Sequence, residues 1–273
     1  IKNIMIELNI YESIYNNAVT GTIVIVDTTN QIAKLKIQGL ERISFRLSTP
    51  GVKYGNEGVI DASETTGHPF HVYKITDRKQ LNQNTTSYIL HFASREFMRN
   101  LRTKVSQAYD GTYDRAVINI MKDEDYLDSR KKLSIEGTGN KDKIVIPNLR
   151  PFDAINMIAS KSMPDKSDGV GYYFYETTRG FNFRSWESMI TSQGQFAKAP
   201  KQQFYYQPGK MASEGSQDKV EKEYESVEAY EFVNNFHDVA ANTMLGTYGH
   251  RIITHNLYDK SYSIDDYNYH NSF

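Results

Sequence analysis

The sequence predicts an α+β fold that is mainly β, with a mixed α/β segment in its middle. Two observations carry this. Through roughly the first hundred residues, apolar and polar side chains alternate in short runs that end at glycine, proline or polar turn formers, the period of half-buried strands. After residue 94 the period changes, and apolar residues recur at helical spacing in three separate stretches before strands return.

The first strand is expected over residues 4–10, where Ile4, Ile6, Leu8 and Ile10 alternate with Met5, Glu7 and Asn9. TGTIVIVDTTN, residues 20–30, is a β-branched strand that starts beside Gly21 and closes in polar turn formers. AKLKIQG and RISFRLSTPG follow with the same alternation, and short strands separated by turns suggest a barrel or sandwich. Residues 51–69 are loop-rich. They lead into FHVYKIT and SYILHFA, a long hairpin whose strands are joined by the polar connection DRKQLNQNTT.

Ser94 can then cap a helix in SREFMRNLRTKV, in which Phe97, Met98, Leu101 and Val105 share one face. A second helix is expected over residues 112–126, with Ala116, Val117, Ile120 and Met121 inward. A third begins at Pro151, a residue suited to the first helical turn, with Phe152, Ile155, Ile158 and Ala159 as its stripe. Between them KKLSIEGTGNKDKIVIPN reads as a strand, a glycine-rich turn and a strand. GYYFYETTRGFNFRS reads as a hairpin around TTRG, and TSQGQFAKAPKQQ and MASEGSQDKVEKEYES as polar connectors.

A chain of 273 residues suffices for one large domain or two to three small ones. Charged residues make up 24%, and the formal net charge of -1 offers no basic surface for nucleic acid or an anionic membrane. The absence of cysteine removes disulfides, thiolate catalysis and cysteine zinc sites. Residues 23–26 form the longest apolar run, far short of the roughly 20 that a membrane helix needs. The chain is expected to be soluble, without membrane insertion. It starts at Ile1 and stops at Phe273 after a tyrosine-rich stretch, so a fragment of a longer protein is expected. Twenty tyrosines and thirteen phenylalanines suit strands and subunit interfaces.

Catalytic patterns are weak. There is no phosphate-binding loop, no G-x-S-x-G and no H-E-x-x-H. GTGN, residues 137–140, is read as a hairpin turn in preference to a dinucleotide loop. Asp123, Glu124, Asp125 and Asp128 lack the glycine and terminal glutamate of a calcium loop and read as a solvated helix end. His68 and His71 form an H-x-x-H pair to which His91, on the partner strand, could add a third ligand, but a turn residue and a strand residue need not face the same way. The basic runs at 102–104 and 130–132 read as solvated faces, and nothing sets Glu176 and Glu187 across a sugar ring. In EFVNNFHDVAANTMLGTYGHRIITHNL, His250 and His255 would face opposite sides of a strand, and His237 and Asp238 are merely adjacent. That stretch is expected to be a packed turn and strand with structural histidines. No catalytic, cofactor-binding or metal residue is therefore assigned, no cofactor is expected, and the protein is not expected to be an enzyme.

That last stretch, together with FHVYKITDRKQ, SYILHFASREFMRNLRTKVSQAYDGTYDRAVINIM, LRPFDAINMIASKS and GYYFYETTRGFNFRS, resembles the central baseplate hub proteins of contractile-tailed, T-even-like bacteriophages. These are similar to the N-terminal part of type VI secretion spike proteins. The resemblance covers most of the chain as a pattern of segments, and such hubs usually continue beyond the point where Phe273 stops. It implies a tail-tube-like β-barrel with a C-terminal helix over residues 1–105, a mixed α/β segment over 106–200, and a linker with part of a second barrel over 201–273. It also implies a homotrimer that joins a sixfold tail tube protein to a threefold central spike protein, contacts other baseplate proteins, and lets DNA through without sequence recognition. Such a protein is assembled in the host cytoplasm and resides in the virion tail baseplate. The rival readings are a carbohydrate-binding tail module using Trp186, Tyr172 or Tyr175, and a cell-wall hydrolase using His237, Asp238 and His250.

Overall fold

The structure is a computed structural model that describes residues 4–29, 34, 39, 41–48, 59–65, 68–165, 171–190, 204–206, 208, 226–231 and 238–272. The chain divides into two compact units, Ile1–Gln202 and Gln203–Phe273.

The first unit begins with β1 (Met5–Tyr11), β2 (Thr20–Asp27), β3 (Arg42–Ile43), β4 (Arg46–Ser48), β5 (Val59–Asp61), β6 (Phe70–Asn82) and β7 (Thr85–Ala93). Five of these form an antiparallel sheet in the order β1-β2-β7-β6-β3, curled into a half-barrel, while β4 pairs with β5. Strand β2 shows the predicted alternation fully: Gly21, Ile23, Ile25 and Asp27 are buried and their neighbours are not. Its apolar face packs with Val72, Tyr88, Leu90 and Phe92. Phe70 lies between Phe45 and Phe92, with ring centroids 5.7 and 4.9 Å away. Gly21 makes this possible, since a Cβ there would fall 2.2 Å from the Phe92 ring. The segment AKLKIQG lies outside the described residues except for Lys34 and Gly39.

The long hairpin differs from expectation. The polar connection DRKQLNQNTT is itself strand, and only Gln83 and Asn84 form the turn. A ladder needs paired backbone groups and no buried face, so a polar extension exposed on both sides can still pair. Its irregularity shows in three register shifts and in the positive φ of 53° at Asp77.

The rest of this unit is α1 (Arg95–Arg102), β8 (Val105–Tyr109), α2 (Tyr113–Lys122), β9 (Leu133–Ile135), β10 (Ile144–Leu149), α3 (Pro151–Ala159), β11 (Tyr172–Thr177), β12 (Gly180–Ser185) and α4 (Trp186–Ile190). The stripes expected on α2 and α3 are buried as read, in a second core with Phe174, Phe181 and Phe183. β11 and β12 form the expected hairpin. The mainly β class with a mixed middle is thus observed.

Two further expectations fail in this unit. α1 turns Glu96 and Asn100 inward and leaves Leu101 48% exposed, while Val105 belongs to the next strand. Asn100 is buried because it caps a neighbour. Its Oδ1 accepts from the Phe152 N–H at 2.8 Å, satisfying a donor in the first turn of α3. The GTGN segment is not a hairpin turn either. β9 pairs in parallel with β12, and β10 pairs with β8, so the two strands beside GTGN lie in different sheets. Asn140 instead holds the far loop, accepting from the Met163 N–H at 2.6 Å and donating to the Lys161 carbonyl at 3.1 Å.

The second unit contains β13 (Tyr205–Tyr206) paired in parallel with β14 (Ser226–Val227), then α5 (Val239–Met244), β15 (Gly249–Asn256), β16 (Ser261–Asn268) and α6 (Tyr269–Ser272). β15 and β16 form an eight-residue antiparallel hairpin in continuous register. The expected packed turn and strand are instead exposed: no residue of α5 or β15 is buried.

Gly180, at φ 134°, closes the β11–β12 turn where a Cβ would meet the Lys132 carbonyl oxygen at 2.2 Å. Gly180→Ala is expected to destabilise the first unit by about 1–3 kcal/mol, read as a lower midpoint in urea unfolding.

Candidate functional site

The first unit buries a charge cluster that no local motif announces. The Lys131 ammonium pairs with Glu176 Oε1 and lies 3.0 Å from Glu96 Oε2, and the three side chains are 9%, 1% and 2% exposed. Each carboxylate has a further donor. Ser129 Oγ donates to Glu96 Oε1 at 2.7 Å, and the Val19 N–H donates to Glu176 Oε2 at 2.8 Å. The ammonium also sits 5.6 Å from the centre of the Phe181 ring. The cluster therefore joins α1, the start of β2, the end of β11 and the segment between α2 and β9.

Burial raises Glu176 above the usual carboxylate range, and Glu96 adds to this, although Lys131 opposes both. Burial also works against Glu96, but Lys131 and the Ser129 hydrogen bond outweigh it and hold that carboxyl below its usual value. For Lys131 burial favours the neutral amine, yet the two carboxylates prevail and hold it above its ordinary value. One ammonium shared by two carboxylates leaves the second carboxylate less compensated than the first.

Two cavities meet at Lys131 and His68. A cleft of about 550 Å³ is lined by Arg42, Glu64, His68, His71, Arg95 and Arg130 around a floor of Glu96 and Lys131. A smaller cavity of about 180 Å³ touches Glu176, Asp61, Lys132 and the β11–β12 turn. His68 and His71 thus share one cleft, which the sequence did not establish. Desolvation lowers both imidazoles; Lys131 is the next cause for His68 and Arg42 for His71. His91 is not part of this cleft, and its Nε2 lies 2.8 Å from Thr76 Oγ1. Among the described residues no group of three or more His, Asp or Glu side chains could hold a metal ion.

The other residues weighed in the sequence take structural positions. Asp123 ends α2, and its Oδ1 accepts from the Asp125 N–H at 2.9 Å. Asp128 accepts from Arg95 Nη2 at 2.6 Å. The run 130–132 is not a uniformly solvated face, because Lys131 is the centre of the buried cluster while Arg130 is exposed. Tyr172 and Tyr175 are buried and cannot form a sugar platform; Trp186 is exposed and contacts Tyr173. His250 stacks on Tyr267, His255 lies against Tyr262, and Asp238 caps α5 by accepting from Ala241. His237 lies outside the described residues. No described helix is long and apolar enough to cross a membrane.

No protein-family model and no curated protein matches the chain. Among the solved structures it is similar to are two tail proteins and one secretion-system component. The tail protein of prophage MuSo2 from Shewanella oneidensis is 11% identical, with 64% of this chain and 48% of that one covered and a TM-score of 0.40. The tail protein from Neisseria meningitidis MC58 is 12% identical, with 64% and 44% covered and a TM-score of 0.40. An E. coli component of the type VI secretion system, itself described as structurally similar to bacteriophage T4 tail proteins, is 10% identical, with 65% and 48% covered and a TM-score of 0.40. The chain spans about half the length of these structures.

Lys131→Met leaves two carboxylates buried without their cation and is expected to cost about 3–5 kcal/mol. In that variant acid protonates the carboxylates and restores stability, so its unfolding midpoint should rise as pH falls toward the carboxyl range. A second expectation concerns the wild-type chain. Because His68 and His71 are lowered in the fold, their contribution is complete above the unfolded value of 6.5 and is lost as pH falls through the lowered folded values. Urea midpoints should decline between about pH 7 and 5 from this source, and less steeply in His71→Gln.

Proposed function

We propose that this chain is a structural subunit of a virion tail baseplate: a homotrimeric central hub, assembled in the host cytoplasm, that joins a sixfold tail tube protein to a threefold central spike protein. Other baseplate proteins contact it, and DNA passes through its channel without sequence recognition. It works as an adaptor between symmetries and not as an enzyme. The segment pattern of the sequence supports this reading, and so does the curled sheet of the first unit.

The observation that carries it is the β15–β16 hairpin. Every residue of β15 is exposed, with Ile252 at 53% and Ile253 at 54%, and Tyr262 and Ile264 are exposed on the partner strand. Ile253 lies opposite Ile264, and His255 opposite Tyr262, on one face. A two-stranded ribbon is marginal in water, and its stability comes from a third strand or a packing surface. Such a hairpin suits a protein whose final contacts form on assembly.

Light scattering and negative-stain electron microscopy of the full chain test this directly. Threefold particles are expected, with Ile253→Lys shifting the population toward smaller species. A monomer at every concentration, with no capture by tail tube or spike, overturns the proposal.

A further inference from the structure

The cleft beside the buried cluster gathers basic and imidazole side chains around one floor. Its floor is rigid, because Lys131 is fixed between Glu96 and Glu176. Its walls carry Arg42, Arg95, Arg130, His68 and His71. Arg95 is committed to Asp128, whose carbonyl oxygen and Oδ2 it contacts at 2.7 and 2.6 Å. Arg42 reaches Glu64 at 3.5 Å, an exposed pair that contributes little and yields readily to a better anion. The Arg130 guanidinium is exposed and forms no ion pair among the described residues. Asp128, already held by Arg95 and Arg99, is the carboxylate that feels its charge, so a fork of five donors with no short ion pair faces a cleft that also holds two imidazoles.

We infer that this cleft binds the tetrahedral oxyanion of a small phosphorylated or sulfated ligand, held by Arg130 and Arg42 at the mouth and by His68 and His71 on the wall. The guanidinium geometry matches a tetrahedral oxyanion in a two-point hydrogen bond. The volume of about 550 Å³ falls within the range of small-molecule sites and leaves room for an organic group beyond the anion. The charges facing His68 are Lys131, Arg95, Glu96 and Asp61; those facing His71 are Arg42, Arg95, Lys131 and Glu96. Burial first, and the basic side chains after it, disfavour imidazolium in this cleft, and the charge of a bound dianion opposes both. Anion and proton therefore bind cooperatively. This site stands independently of the hub proposal.

Inorganic sulfate is the probe, because its charge stays constant across the histidine range. Calorimetry with the full chain is expected to show one saturable site, tighter at about pH 6 than at about pH 8. Histidine NMR should show the His68 and His71 titrations moving upward with sulfate. Arg130→Ala, at an exposed position that leaves the fold intact, is expected to weaken binding about tenfold. The paired His68→Gln and His71→Gln variant should bind with no pH dependence in that range. A linear, unsaturable response, meaning an adventitious ion only, overturns the inference, as does unchanged affinity in Arg130→Ala. A short oligonucleotide binding more tightly than sulfate with the same Arg130 dependence also overturns it, in favour of a nucleic-acid surface.

Discussion

A lysine buried between two glutamates ties together four segments of the first unit. Taking three charges out of water costs several kcal/mol per ion, so the arrangement is stable only while both carboxylates keep the ammonium and their further donors. Glu96 must therefore face inward from α1, which explains why the polar side of that helix is the buried one. Glu176 must hold the Val19 N–H, which fixes where β2 begins relative to the end of β11. Val19 belongs to the core of the curled sheet and Phe181, under the ammonium, to the core of the mixed segment. The cluster thus fastens the two apolar cores together, alongside Ala18, which packs in the second core while its neighbour Val19 packs in the first.

The outer side of α1 is held by the same segment. Arg95 grips Asp128, Arg99 Nε donates to the Tyr126 carbonyl at 2.7 Å, and Arg99 lies 3.8 Å from Asp128 through Nη1. Asp128 takes a φ of 46°, an uncommon conformation for a residue with a side chain, and its carboxylate and carbonyl both reach Arg95. The acidic run after α2 therefore docks a helix. It brings Ser129 and Lys131 into the interior beside Glu96, while Arg130 between them stays at the surface. Burial alternates over Ser129, Arg130 and Lys131, which puts one basic residue in the core and its neighbour in a cleft.

The two units spend their side chains differently. In the first, two apolar cores form within the chain, although Ile6, Tyr15 and Val145 stay exposed, and buried Glu96, Asn100, Ser129 and Glu176 are all hydrogen-bonded. In the second, Ile252, Ile253, Leu257, Tyr258, Tyr262 and Ile264 remain at the surface. Cross-strand pairs such as Arg251 with Asp266 and His250 with Tyr267 set the register of the hairpin without burying it. A surface of that kind suits a protein that completes its packing against other chains.

Elements whose burial is periodic were legible in the amino-acid order alone. β2, α2, α3 and the β11–β12 hairpin fall where the alternation and the helical stripes put them, because burial against an apolar neighbour leaves a local period of two or 3.6. The opposite faces of His250 and His255 follow from the same rule. The folded chain was needed to learn that β9 pairs with β12, that the polar connection after FHVYKIT continues as strand, and that His68 and His71 share a cleft. It alone placed the buried charges. Glu176 had a faint signal, since it follows Tyr172 and Phe174 on the inward side of its strand. Lys131 had none: its partner Glu176 is 45 residues away, and Ser129 is 33 from Glu96. A charge buried by pairing takes its reason from a partner distant in sequence, and no local period can record that.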